Sequence, residues 1–164
     1  MASGDTLLVF NPLNAEADSS GIATLDLRND HPVVDFDDST VEVVRFSAIM
    51  PRIYGGSGIT VYIHFAMTSA TSGNVKWRAK FERLDAGGID IDNDSFATSK
   101  TATVSVRGTC GQIAVASISF SDGSEIDGLQ AGEGFRLHIE REGDDAGDTA
   151  AGDAELLLVE LKEM

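Results

Sequence analysis

Between residues 59 and 84, apolar and polar side chains alternate almost without a break. Ile59, Val61, Ile63 and Phe65 share one parity, and Thr60, Tyr62, His64 and Ala66 the other. After a polar stretch at 69–74, Val75, Trp77, Ala79 and Phe81 point one way and Lys76, Arg78, Lys80 and Glu82 the other. An extended chain has a side-chain period of two, so each half buries one face and wets the other. The linker is short, polar and contains Gly73, which predicts an antiparallel hairpin at the centre of a sheet.

Weaker alternation recurs along the chain. Short runs at 7–10, 22–27 and 33–36 are separated by Asn11-Pro12 and by Arg28-Asn29-Asp30-His31-Pro32. The run 41–49 changes phase between Val43 and Val44, which predicts a bulge, and Pro51 closes it. Further runs fall at 101–107, 112–120, 135–140 and 154–162, with Ile126 and Leu129 spaced for one helical turn. Eight to ten short strands without a long helix predict an all-β antiparallel sandwich. Long loops beside tight turns favour jelly-roll topology over an immunoglobulin-like one, whose Cys–Trp–Cys spacing is missing. Residues 1–5 are expected to be a flexible arm, and 6–164 a single domain.

At 164 residues and 42% apolar composition, the chain has enough material for one core. No apolar run approaches the roughly 18 residues of a membrane span. The N-terminus lacks a basic patch followed by an apolar core, so no secretory signal is expected. Cys110 is the only cysteine and reads as a small semi-buried residue. A net charge of −15, from 27 acids against 12 bases, argues against nucleic acid and against an anionic membrane as partners. It is explained by solubility, or by a milieu rich in salt or divalent cations.

Few residues suggest chemistry. Asp90, Asp92 and Asp94 stand at alternate positions, as hard-oxygen ligands do in calcium loops, although the Gly and Glu of the helix–loop–helix version are absent. A second acidic loop carries Asp144, Asp145, Asp148 and Asp153; a shared calcium site requires both loops at one end of the sandwich. His64 and His138 fall on polar phases and could be neighbours across a ladder; with His31 they read as surface histidines. No nucleophile elbow or phosphate loop is present, so no catalytic residue is named. Lys76, Arg78 and Lys80, with Arg83 close by, form the one basic concentration. They are expected on an exposed face beside Tyr62 and His64, where they make either internal ion pairs or a contact with acidic loops of another subunit. Trp77 is expected in the core, and Tyr54, among glycines, is the candidate exposed aromatic and a further subunit contact.

Several stretches carry a resemblance: Arg28-Asn29-Asp30-His31-Pro32-Val33-Val34-Asp35-Phe36-Asp37, Met50-Pro51-Arg52-Ile53-Tyr54-Gly55-Gly56, Thr71-Ser72-Gly73-Asn74-Val75-Lys76-Trp77, Phe81-Glu82-Arg83 and Ala131-Gly132-Glu133-Gly134-Phe135-Arg136-Leu137. Over most of residues 5–162 the chain resembles small jelly-roll structural proteins of tailed bacteriophages, of the head-decoration or tail-accessory type. The resemblance implies a non-enzymatic virion part without a cofactor. Such a part would form a homo-oligomer, with a trimer favoured, and cement the shell through the major capsid protein or other virion subunits. The alternative expectation is a carbohydrate-binding or receptor-binding module of a tail fibre or tail tip.

Overall fold

Each alternating run becomes a strand. In the computed structural model, which describes residues 4–164, ten strands form. They are β1 (Thr6–Phe10), β2 (Thr24–Arg28), β3 (His31–Phe36), β4 (Val41–Ile49), β5 (Ile59–Met67), β6 (Asn74–Leu84), β7 (Lys100–Ser105), β8 (Ala114–Phe120), β9 (Gly134–Glu142) and β10 (Ala154–Glu163). Among the described residues the helical content is two 3-10 turns, Pro12–Asn14 and Ser124–Ile126. The larger sheet runs β2-β3-β10-β5-β8, with β1 also paired to β10; the smaller runs β4-β9-β6-β7. The strand pairs are antiparallel, and the two sheets stack as a jelly-roll sandwich.

The expected central hairpin does not form. β5 lies between β10 and β8, whereas β6 lies between β9 and β7. Residues 68–73 therefore carry the chain from one sheet to the other. Parity requires each strand to bury one face; it is satisfied equally when two apolar faces oppose each other across the roughly 10 Å between stacked sheets. Trp77 of β6 accordingly packs edge-on against Phe36 and Phe65 of the larger sheet, with ring centroids 5.0 and 5.3 Å away. Gly73 ends the crossing at φ +97°, where an added Cβ would come within 2.8 Å of the Thr149 carbonyl oxygen.

The bulge expected in 41–49 is also absent. β4 keeps register with β9 from Val41↔Glu142 to Ile49↔Gly134. Val43 lies on the outer face yet is buried, because residues 21–23 pair along that edge: Val43 N–H donates to the Gly21 carbonyl at 2.7 Å. A bulge falls instead in β10, between Leu156 and Leu158. β3 pairs with residues 154–156 before it and β1 with residues 159–162 after it, so two strands share one edge of β10. Of the expected N-terminal arm, residues 1–3 lie outside the described residues. Gly4 and Asp5 exchange backbone hydrogen bonds with Glu163 and so extend the β1–β10 ladder.

Candidate functional site

On the outer face of the larger sheet, otherwise lined by polar residues such as Thr60, Tyr62, Ser117, Ser119 and Glu160, one patch is apolar. The β10 bulge causes this in part. An extra residue turns successive leucines the same way, so Leu157 and Leu158 both face outward, and Leu158 sits opposite His64 of β5. Val115 of β8 flanks His64 on the other side. Leu158 is 42% exposed, Val115 37% and Ile113 49%. Beyond β1, the turn Pro12–Asn14 is fixed by a reciprocal cap: Asn11 accepts from Leu13 N–H, and Asn14 accepts from Asn11 N–H, both at 2.9 Å. This holds Leu13 out into solvent, 69% exposed.

These elements enclose a trough of about 370 Å³ lined by Leu13, His31, Pro32, His64, Ile113 and Leu158. Of its two histidines, His31 is fixed by its own turn. The β2–β3 turn places Asn29 and Asp30 at positive φ, conformations that Asn and Asp adopt more readily than most residues. His31 then lies with Nδ1 2.8 Å from the Asn29 carbonyl oxygen. A carbonyl oxygen can only accept, so Nδ1 carries the proton, and in the neutral ring Nε2 is left as a hydrogen-bond acceptor. Through His31, Ile113 and Leu157 the trough continues into a second hollow of about 250 Å³, bounded by Arg28 and Glu155. Arg28 pairs with Glu155 and donates to the Met67 carbonyl at 2.7 Å; the Glu155 hydrogen bond holds the guanidinium more firmly protonated. Beside them, burial first and then the Glu155 and Asp26 charges push the Asp35 carboxyl up to about 6.

The trough thus combines apolar walls, imidazole edges and the Asn11 amide with the Arg28–Glu155 pair at its far end. A pyranose ring presents a C–H face and a girdle of hydroxyls, and such a surface can hold both. Trough residues such as Leu13, His31 and Leu158 were not predicted to act together. The run Leu156-Leu157-Leu158, which breaks the alternation of the last strand, was the available signal.

The predicted site residues fall elsewhere. Tyr54 is buried, not exposed: its hydroxyl donates to Asp122 Oδ1 at 2.9 Å and accepts from Gly58 N–H, and burial, reinforced by Asp122, pushes its pKa up. Lys76, Arg78 and Lys80 do share one outer face, but on the smaller sheet, away from Tyr62 and His64 of β5. Three of the four basic residues are engaged within the chain. Lys76 pairs with Glu142 and Asp145, Arg78 with Glu140 and Glu142, and Arg83 with Glu133 and Asp85. His138 lies on the smaller sheet and His64 on the larger, so they are not neighbours; His138 is buried at 3% exposure. The burial comes from Phe96, which packs edge-on over it at 5.5 Å.

The two acidic loops do not meet at one end. Residues 85–99 leave the C-terminal end of β6, while the loop after β9 bonds its N-terminal end, where Thr149 and Ala150 N–H donate to the Asn74 carbonyl. Asp90 uses its carboxylate on Asp92 N–H and the Asn93 amide. Among the described residues no three His, Cys, Asp or Glu side chains are grouped to hold a metal ion, Asp90, Asp92 and Asp94 included.

No protein-family model matches the chain, and no curated protein sequence does. Solved structures do. A carbohydrate-binding module, CBM36, in complex with calcium and xylotriose aligns with TM-score 0.52 and 13% identity, over 95% of this chain and 100% of that one. A family 35 carbohydrate-binding module from an environmental isolate gives the same score and identity, over 95% and 93%. The CBM22-1 xylan-binding domain of Paenibacillus barcinonensis Xyn10C also aligns at 0.52 and 13%, over 99% and 97%. At these identities the likeness is one of fold: this chain has the β-sandwich on which those modules are built.

Proposed function

We propose that this chain is a non-catalytic carbohydrate-binding module that holds a neutral glycan in the trough on the outer face of its larger sheet. The observation that carries the reading is the trough itself, a continuous apolar surface with imidazole edges on a face that folding alone would leave polar. The fold shared with carbohydrate-binding modules supports it. The net charge of −15 favours neutral over anionic polysaccharides.

Xylo-oligosaccharides form the first panel, because xylan or xylotriose is named for two of the compared structures. Isothermal calorimetry is expected to show saturable binding that His64→Ala and Leu158→Ala each weaken about tenfold, with folding intact. Repeating the titration with calcium and with a chelator tests for a metal. The trough's own polar groups are imidazole and amide, and the Glu155 carboxylate at its far end is paired with Arg28, so binding is expected to be unchanged. Failure of every neutral glycan in a broad array, or binding indifferent to both substitutions, would refute the reading.

The virion reading is carried by the sequence resemblance. Its compatible form is a glycan-binding module of a tail fibre or tail tip, oligomeric on the particle. Mass photometry of the free chain tests the oligomer. Cryo-EM of particles tests the location.

A further inference from the structure

The smaller sheet carries a different kind of surface, independent of the trough. Arg45, His138 and Lys80 stand in one row across β4, β9 and β6, with Arg136 two residues before His138 on β9. Phe96, from the long loop 85–99, lies over this row. The Arg45 and Arg136 guanidinium carbons are each 5.2 Å from its ring centroid and Lys80 Nζ is 5.3 Å away. Three cations therefore converge on one uncharged ring in a strongly acidic chain.

Their hydrogen bonding is incomplete. Arg45 has one carboxylate partner, Asp18 at 2.8 Å, and Arg136 has Glu82 at 2.6 Å. Lys80 makes no ion pair among the described residues, unlike its neighbours Lys76 and Arg78. Arg45 Nε and His138 Nδ1 are buried without a partner. His138 Nε2 is engaged with Glu140 at 2.6 Å. Buried polar groups are almost always satisfied, so the Arg45 Nε–H left without an acceptor beneath the ring calls for a partner; His138 Nδ1, an acceptor in the neutral ring because Nε2 donates to Glu140, makes no such demand on an anion.

The loop above is lightly held. The hydrogen bonds made by residues 86–96 stay within the loop, from Gly88 to Asp85 and among Asp90, Asp92 and Asn93. Pairing to the sheet resumes with Ala97 N–H on the Phe81 carbonyl at 2.8 Å. The Phe96 ring is what pins the segment between.

We propose that Phe96 is a displaceable plug over an oxyanion site formed by Lys80, Arg45 and Arg136 above His138. The occupant is a small carboxylate or phosphate group. A charged oxygen offers Lys80 and Arg45 Nε–H the acceptor they lack, whereas the ring offers only its quadrupole.

The test titrates wild-type protein and Phe96→Ala with inorganic phosphate, with glucuronate, and with glucose as the neutral control, all at low salt. Phe96→Ala is expected to bind phosphate or glucuronate at least tenfold more tightly than wild type, and glucose no better. Lys80→Gln in the Phe96→Ala background is expected to remove most of that gain. Preference for glucuronate assigns the acid group of a sugar; preference for phosphate assigns a phosphate ester or the free ion. Equal binding by Phe96→Ala and wild type, or a gain untouched by Lys80→Gln, would overturn the site. A second measurement does not depend on the variant folding. Saturating phosphate is expected to speed amide hydrogen exchange at Ala97, whose N–H is bonded to the Phe81 carbonyl next to the ring, in wild-type protein as the ring leaves, and unchanged exchange there counts equally against the plug.

Discussion

Arg141 offers the sharpest test of what holds the sandwich closed. It occupies an inward position of β9, opposite Trp77, with no solvent exposure. Its five N–H donors are all used. Nε and one terminal nitrogen bind the two oxygens of Asp148 at 3.0 and 2.8 Å; the remaining donors go to the carbonyls of Phe36, Ala150 and Gly152 at 2.8–3.1 Å. Asp148 is as deeply buried, 1% exposed at its side chain, and also accepts from Lys76 N–H at 2.9 Å. Arg141→Met keeps the volume but leaves a buried carboxylate with one backbone partner and takes a donor away from each of three carbonyls. Breaking such a pair costs about 3–5 kcal/mol, against a total stability of about 5–15 kcal/mol for a domain of ordinary stability. Urea denaturation at pH 7 should show that loss as a lowered midpoint with unchanged slope. Asp148→Asn should cost somewhat less, because the amide keeps one acceptor oxygen. The double variant Arg141→Met/Asp148→Asn should lose at least about 2 kcal/mol less than the sum of the two single losses. Salt up to 1 M should not mimic the single variants, since the pair is shielded from solvent ions. A loss below about 1 kcal/mol for Arg141→Met, with the slope unchanged, would refute the reasoning.

Three further outcomes follow from the geometry. Asp35, pushed up to about 6, favours the folded state when protonated; its contribution is complete below about pH 4 and is lost as pH rises through 6. Asp35→Asn should therefore raise the thermal midpoint more at pH 7 than at pH 4, and an equal shift at both would count against the raised pKa. Gly73→Ala combines a positive φ with contacts under 3 Å to the backbone of Thr149 and Ala150; a loss of about 2 kcal/mol or more is expected on denaturation, and a neutral result would place the crossing elsewhere. Trp77→Leu removes a ring packed between Phe36 and Phe65 and should cost about 3 kcal/mol or more, read by calorimetry.

Strand positions were legible because parity is a local property: Ile59 to Phe65 and Val75 to Phe81 bury the residues their alternation marked. Partnership was not, since the apolar phases of β5 and β6 fit side by side or face to face, and only the long-range ladders to β10 and β9 decide between the two. The same limit hid both surfaces. His64 and Leu158 are 94 positions apart in sequence and meet only because β5 pairs with β10. His138 read as a surface residue because nothing local announces that Phe96, in a loop rich in aspartates, will lie over it. The basic row shows the converse. Lys76, Arg78 and Lys80 were visible as a row, but whether such a row is an interface depends on what the neighbouring strand supplies. β9 supplies Glu142 and Glu140 beside the first two and, opposite Lys80, a histidine. That substitution of imidazole for carboxylate leaves one cation of the row without an anion, and so turns a lattice of internal pairs into a surface with a valence to fill.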